Sequence, residues 1–526
     1  MHINNNRKKG VTNKIFFIML FIVIFHLIFV FTLQAHANIG GDGIFTYTLA
    51  NNPYSFEYID SAYKNFPQNN GWINASILKE NYTVMDYDRF NYSSVYFHQR
   101  IDNHPLLYYS LVHTVCSLFP GTYSRLFTMI INFIFVLGVD LLVISLIKQL
   151  YGNAIYSTVP FTFLFFMPVM QQLYILPRMY MALAFFCFWY LYIHWSLLTR
   201  KHWRKSQLLQ MICCIFLGSQ THYYFYVYAF SLSVLTFIYF IYKRERYKLF
   251  NYMYSGIIGI AFSWILFPWI IWHIFFNQME KHSTVNPWSL EKLKEYIRFL
   301  NEQLFNNRVV IAISILILLF IITMFMGKKN CNSQSRCLFH RIVFGCGFLY
   351  SLIIFTLDES IWYYSTPLYL TFILWFSMLL IDLFTKIITC RKSEIFTICS
   401  SIICIIMILS ISSTINFISQ YIDEDFNKNE FSQVAIDYEQ ADCIYIERGQ
   451  DNLLQGYFFE FGNYDEFKKI SVESFLQDGI SEETLSGRSS NNSLLIYAPI
   501  ECSLDEQSYQ LLKSNGDYNI FKIKEK

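Results

Sequence analysis

The sequence is short of charge. Asp, Glu, Lys and Arg make up only 15% of its 526 residues, where a soluble domain carries about 25%, so it cannot clothe large soluble domains. An excess of one sign is missing too: 40 basic and 38 acidic residues leave a net +2, which excludes the basic footprint of a nucleic-acid-binding protein. The 12 cysteines form no CxxC pair and no Cys/His cluster at metal-ligand spacing, so no zinc site is signalled. Internal repeats and low-complexity tracts are also absent, which excludes solenoids and disordered tails. What fills the chain is apolar. Hydrophobic residues reach 54% and aromatics 19%, the composition of a polytopic α-helical membrane protein.

Apolar runs long enough to span predict about eleven transmembrane helices, beginning near residues 15, 125, 153, 178, 207, 223, 249, 308, 338, 361 and 394. The run from 207 to 242 is divided at "GSQTHYY", because one helix of that length would exceed any bilayer. The first run follows a basic start and precedes "AHA", which resembles a signal-peptidase site. It is nevertheless long enough to span, and an uncleaved first helix is expected. Lys and Arg crowd alternate connections ("RKK", "TRKHWRKS", "YKRERYK", "MGKKN", "CRK"). The positive-inside bias therefore places the amino terminus in the cytoplasm, with loops 34–124, 277–307 and 358–360 outside. Residues 1–426 form the membrane domain on this reading. The tail, 427–526, reads as a small extracytoplasmic α/β domain, with "CIYIE", "SLLIYAP" and "YNIFKI" as strands and "DEQSYQLLKSN" as helix. Within it Cys443 and Cys502 are either a disulfide or two free thiols.

Several polar side chains recur on the expected outer side. In "IDNHPLLYYSLVH" Pro105 suits the first turn of a helix. Ser110, His113, Thr114 and Ser117 then form a polar face opposite Leu107, Leu111, Val115 and Leu118, the pattern of a four-turn interfacial helix. Asp102, Asn103 and His104 precede it, where a helix dipole would hold Asp102 ionised; plain capping by Asp102 or Asn103 is the alternative. Asp42, in "NIGGDGIFTYTLANN", has glycines on both sides that permit a close backbone approach to a ligand, or simply a turn. Pro177 and Arg178 open a span in "LPRMYM". A cation there fits a bound phosphate at the helix start, or an anchor to lipid headgroups. His222 falls in the proposed hairpin "QTHYYFY", which an aromatic-belt turn would also explain.

In this order, "GGDGIFTYTLANN", "DNHPLLYYSLVH", "RMYMAL" and "THYYFY" resemble the integral-membrane glycosyltransferases of the C superfamily (GT-C), in the group of protein O-mannosyltransferases and aminoarabinose transferases. The resemblance covers roughly the first 240 residues; the later spans match only in layout. It implies transfer of a sugar from a polyprenyl-phosphate donor to an acceptor hydroxyl, outside the cell membrane and with inversion. It implies Asp42 as general base and a pocket shaped by Asp102 and His104. Near the carrier phosphate it implies Arg178 and His222, with Tyr180 of the same "RMY" motif. Arg100 and Arg125 are further cations for the leaving group. Desolvation near lipid would strengthen Asp42 as a base, while Asp102 at a helix start would orient.

Departures from the family pattern are specific. Gly43 replaces the second acid that many relatives carry, Leu176 stands where others have Glu, and "ESIWYYSTPLYL" lacks a basic residue before its Tyr. A divalent metal is therefore not signalled, and no cofactor is expected. The acceptor, whether protein, lipid or glycan, is not legible; besides donor and acceptor the expected partner is membrane lipid. Two other classes compete. A polysaccharide polymerase or ligase of the cell envelope would place several Arg in two large outer loops, yet 277–307 has only Lys281, Lys292, Lys294 and Arg298. A transporter or flippase would show paired halves and midplane acids, of which Asp140 is the clearest. The Asn-, Ile- and Lys-rich composition suits an AT-rich bacterium.

Overall fold

The computed structural model describes residues 2–36, 40–53, 71–102, 104–200, 203–277, 290–325, 334–357, 365–388, 393–409, 433–438, 440–447, 461–486, 488, 492–514 and 518–524. Two compact units divide the chain: Met1–Ala35 with Ile130–Ile418, and His36–Met129 with Ser419–Lys526.

Among the described residues, 7 helices are long and apolar enough to cross a membrane: Ile15–Gln34, Leu126–Tyr151, Tyr180–Thr199, Tyr224–Tyr242, Arg246–Leu266, Gln334–Thr356 and Thr366–Ile387. Two bent pairs, Ala154–Phe166 with Pro168–Ile175 and Leu290–Phe305 with Val309–Ile322, raise this to 9 if each crosses once. The protein is a multi-pass α-helical membrane protein. The two other runs expected to span, near 207 and 394, are shorter helices. Lys205–Ser219 has 15 residues, about 22 Å at the α-helical rise, less than the roughly 30 Å of a hydrocarbon core. Its fit against Arg246–Leu266 is close: a Cβ on Gly259 would come within 2.8 Å of Ile215 Cβ and 3.1 Å of the Ile212 carbonyl. No side chain fits there without separating the helices.

Both bends have local causes. Pro168 has no N–H for the Leu164 carbonyl four residues earlier, and the helix turns by 70° at that point. Side chains supply the missing donors: the Tyr174 hydroxyl donates to Leu164 O at 3.1 Å and the Gln171 amide to Phe165 O at 2.7 Å. Tyr174 is itself held by His26, whose Nε2 lies 3.0 Å from the hydroxyl and whose Nδ1 lies 3.0 and 3.1 Å from the two Asp140 oxygens. All three side chains are buried, so the group ties the first span, the second span and the bent pair together. Further along, Gln34 donates to Tyr174 O at 2.7 Å and Asn132 to Leu176 O at 2.8 Å. The second bend, of 69°, follows Asn306 and Asn307 at φ 49° and 63°. Asn enters that left-handed region more readily than other residues with a side chain.

The second unit contains a six-stranded sheet: β1 (Ile73–Asn74), β2 (Asp442–Glu447), β3 (Glu466–Ser471), β4 (Leu494–Pro499), β5 (Tyr509–Ser514) and β6 (Tyr518–Ile523), in the order β1-β3-β2-β4-β6-β5. β2 runs parallel to both β3 and β4, and the other pairs are antiparallel. Central β2 has buried residues on both faces, as a strand covered on both sides must. Ile444, Ile446, Ile496 and Phe521 pack with Phe475 on one face. Tyr445, Phe461, Tyr497 and Tyr518 are in ring contact on the other. The long loop joins this sheet through β1, and Ala75 N–H donates to Asp465 O at 2.9 Å.

One expectation for the tail is corrected, and one open choice is decided. Residues 509–514, read as helix, form edge strand β5, because pairing with β6 overrides the helix-forming Gln-Leu-Leu-Lys run. Cys443 and Cys502 are not joined by a disulfide; both thiols are buried, and burial pushes that of Cys443 well above the usual cysteine range.

Candidate functional site

In the second unit the site residues are arranged around the helix Gly40–Asn51. Asp42 was expected in a turn; it lies instead in the first turn of this helix, where backbone N–H groups and the dipole favour a carboxylate. Its side chain lies outside the described residues. At the other end the last carbonyls of a helix lack partners, and two histidines supply them. His98 Nδ1 donates to Leu49 O at 3.0 Å, and His113 Nδ1 donates to Ala50 O at 2.8 Å. Both rings are fully buried, and burial lowers the His113 pKa, opposed in part by the Ala50 hydrogen bond. The same helix anchors Tyr47, whose hydroxyl donates to Ser124 O at 2.8 Å. Burial raises the Tyr47 pKa, while the nearby charge of half-buried Arg125 works against that.

Asp102 is not at a helix start. It caps the carboxyl end of the helix Tyr92–Ile101, its N–H donating to His98 O at 2.9 Å. The dipole there disfavours an anion. The compensation comes from His104, whose Nδ1 lies 2.7 Å from Asp102 Oδ2, with the two side chains 19% and 20% exposed. A carboxylate only accepts, so Nδ1 carries the hydrogen and, in the neutral ring, Nε2 is the proton acceptor. Electrostatically the two acids have exchanged the places expected of them: Asp42 has the favourable helix end and Asp102 the unfavourable one. Asn103 lies outside the described residues. Arg100 is exposed in the last turn of Tyr92–Ile101, where a cation suits the dipole.

The interfacial helix is shorter than expected and turned over. It runs Leu107–Ser117, 11 residues, so Pro105 lies ahead of its N-cap, Leu106, and outside its first turn. The buried face holds Tyr108, Tyr109, Val112, His113, Cys116 and Ser117, while Leu111 and Val115 are half-exposed and Leu118 is exposed. His113 and Ser117, assigned to the polar outer face, thus point inward. The expectation failed because the helix packs against Gly40–Asn51, whose end carbonyl needs the His113 donor. Burial also pushes the Cys116 thiol up to about 12.

Arg178, Tyr180 and His222 belong to the first unit. Helix Tyr180–Thr199 has its N-cap at Met179, so Pro177 and half-buried Arg178 stand just ahead of the first turn instead of within it. Arg178 N–H donates to Leu176 O at 2.8 Å. Tyr180 and His222 do come together: their ring centroids are 5.7 Å apart, and Tyr224 lies 5.4 Å beyond His222. His222 sits in the turn between Lys205–Ser219 and Tyr224–Tyr242, as the division of that run predicted, and its Nδ1 accepts from Tyr224 N–H at 3.2 Å. Sequence reasoning missed His273, hydrogen-bonded to the Tyr223 hydroxyl at 2.5 Å and opening the short π-helix His273–Asn277. Its signal was available, a histidine in the otherwise apolar "WIIWHIFF".

Loop 277–307 is not all loop. Leu290–Phe305 is an amphipathic helix with Glu291, Lys294, Glu295, Arg298 and Glu302 exposed. Its other face borders two adjoining apolar cavities, of about 510 Å³ and about 170 Å³, which share Leu300, Phe348 and Ser351. Lys292 Nζ stands 5.4 Å above the Phe355 ring at the margin. Among the described residues no three His, Cys, Asp or Glu side chains are grouped to hold a metal.

No protein-family model matches the chain, and no curated protein matches it in sequence. Among solved structures it is similar to ArnT from Cupriavidus metallidurans. In the apo state that protein is 9% identical, over 86% of this chain and 93% of that one, with a TM-score of 0.45. Bound to undecaprenyl phosphate it is 8% identical, over 96% and 97%, with a TM-score of 0.46.

Proposed function

We propose that the chain transfers a sugar from a polyprenyl-phosphate donor to an acceptor hydroxyl on the extracytoplasmic face, with inversion. The acceptor oxygen bonds to the anomeric carbon as its proton passes to a base, and the bond to the carrier phosphate breaks. Asp42 is the base on this reading; the amino end of its helix keeps the carboxylate in the form that accepts a proton but weakens it as a base, and desolvation by the bound substrates would restore its strength. Arg178, at the amino end of Tyr180–Thr199, balances the charge that develops on the departing phosphate, with His222 and Tyr180 beside it. Arg100 and Arg125 are secondary candidates for the same task. The apolar groove along Leu290–Phe305 suits an isoprenoid chain, since one side of it is hydrocarbon and Lys292 marks its polar margin. The acceptor class and the sugar stay open to experiment.

The observation that carries this reading is the half-buried Asp102–His104 pair in the "DNHP" stretch, a carboxylate holding an imidazole in one tautomer, an arrangement that serves proton transfer. That same pair favours a second assignment of the base, with His104 Nε2 taking the proton and Asp102 fixing the tautomer. Turnover of a radiolabelled polyprenyl-phosphate sugar by purified variants separates the two. Asp42→Asn is expected to cut turnover by about a hundredfold or more while the protein stays folded in membranes, the scale of a lost general base. Near-normal turnover by Asp42→Asn with equally large losses in His104→Ala and Asp102→Asn transfers the role to the pair. Near-normal turnover by all three variants removes the base role from both places, and no turnover by the parent protein defeats the transferase reading.

A further inference from the structure

A cavity of about 510 Å³ lies where helix Tyr180–Thr199 ends, helix Tyr224–Tyr242 ends and helix Gln334–Leu357 opens, at the opposite ends of the first two helices from Tyr180 and His222. Its lining includes two cations, Lys243 and Arg341, with the Tyr239 hydroxyl, Gln334 and Ser335 as further polar groups and Leu338 as an apolar wall. No acid lines it. The contrast with the adjacent face of the same helix is informative. Arg336 and His340, about one turn apart, both lie 3.0 Å from Asp382, whose carboxylate offsets the charge of the arginine. Glu245, two residues past Lys243, is engaged by Lys248 at 2.8 Å. Lys243 and Arg341 thus face one concave space, and among the described residues neither is ion-paired to a carboxylate; Glu245 is the acid whose charge reaches the lining, at Tyr239. Both side chains are exposed, so solvent screens their repulsion; what the cavity offers an anion is two cations converging on one concave space.

We propose that this cavity binds the phosphate of an anionic phospholipid headgroup. The location favours a lipid over a free anion: the cavity opens at the ends of membrane-crossing helices, Tyr242 in its lining is 79% exposed, and Leu198 and Leu338 give it an apolar side. The charge bias of the loops puts this end in the cytoplasmic leaflet, where anionic lipids are concentrated. Arg341 presents a planar fork to phosphate oxygens, and Lys243 adds a mobile point charge. The site would couple membrane composition to the packing of three helices, independently of any reaction the protein performs.

Native mass spectrometry of the full-length protein in detergent tests this, with phosphatidylglycerol and phosphatidylcholine of identical acyl chains as probes. Preferential retention of phosphatidylglycerol is expected. Lys243→Ala/Arg341→Ala should weaken it by about twentyfold, since each cation at a lipid surface is worth a factor of about five. Lys205→Ala/Arg246→Ala, an equal loss of charge at exposed residues outside the cavity, should leave it unchanged, and the charge-retaining Lys243→Arg/Arg341→Lys should keep it if the alanine pair does not fold. Equal retention of the two lipids, an undiminished affinity in the alanine pair, a loss in the control pair of the same size, or displacement of phosphatidylglycerol by excess inorganic phosphate would each overturn the proposal.

Discussion

Replacing one member of the His26–Asp140 pair should cost far more than replacing both. The Tyr174 hydroxyl gives its hydrogen to Leu164 O, so its oxygen must accept from His26 Nε2–H. Nδ1 then shares one proton with Asp140, either as imidazolium and carboxylate or as neutral imidazole and carboxylic acid, and the pair is neutral overall in both cases. His26→Leu strands an acid within the bundle; Asp140→Leu strands a histidine whose other nitrogen is fixed as a donor. Breaking a buried pair costs about 3–5 kcal/mol, whereas an apolar replacement of both partners is close to neutral. The lower end applies in a membrane, where the unfolded chain also finds partners for its polar groups. Each single variant should therefore lose about 3 kcal/mol, and His26→Leu/Asp140→Leu should fall within about 1 kcal/mol of the parent protein. Unfolding by SDS in mixed micelles, followed by the protein's abundant tryptophan fluorescence, gives all three values and hence the coupling. Additive losses, or singles no worse than the double, would refute the argument that these groups balance each other.

Three further outcomes follow from the packing and the site. Arg178→Ala should raise the apparent KM for the polyprenyl-phosphate donor at least tenfold (about 1.4 kcal/mol) with kcat less affected, and an unchanged KM would reduce Arg178 to a membrane anchor. Gly259→Val should lower stability by about 1–3 kcal/mol, because Ile215 and the Ile212 carbonyl leave no room for its side chain; a neutral result by the same SDS titration would show that the two helices can separate at little cost. Cys443 and Cys502 should both resist maleimide in the native protein and both react once it is unfolded without reductant, since they are buried but not disulfide-bonded.

Much of the helical framework was legible because its cause is local. A run of apolar side chains long enough to cross a bilayer announces itself; the break at Pro168 went unread within the span near 153, although its missing N–H is a property of the residue. The division of 207–242 at "GSQTHYY" and the strands "CIYIE", "SLLIYAP" and "YNIFKI" were likewise read from local pattern. The failures share a different cause. Pro105 and Pro177 were assigned to first helical turns, yet each helix starts two or more residues later; proline restricts the backbone without fixing where hydrogen bonding begins. The polar stripe of 107–117 was assigned to water, yet His113 turns inward to a carbonyl 63 residues away in sequence. Strand β5 has the composition of a helix and is a strand only because β6 lies beside it.

The sequence by itself determined that this is a multi-pass helical membrane protein with an α/β tail, and it named the side chains capable of chemistry. Tertiary structure alone decided what each of those side chains meets. It set Asp102 against His104 at the wrong end of a helix, gave Leu49 and Ala50 histidine donors, drew β1 from the long loop into the sheet of the tail, and matched His26 with an acid 114 residues away. The physical reason is that hydrophobic periodicity is written along the chain. The partner that satisfies a buried polar group is chosen by where the chain returns in space.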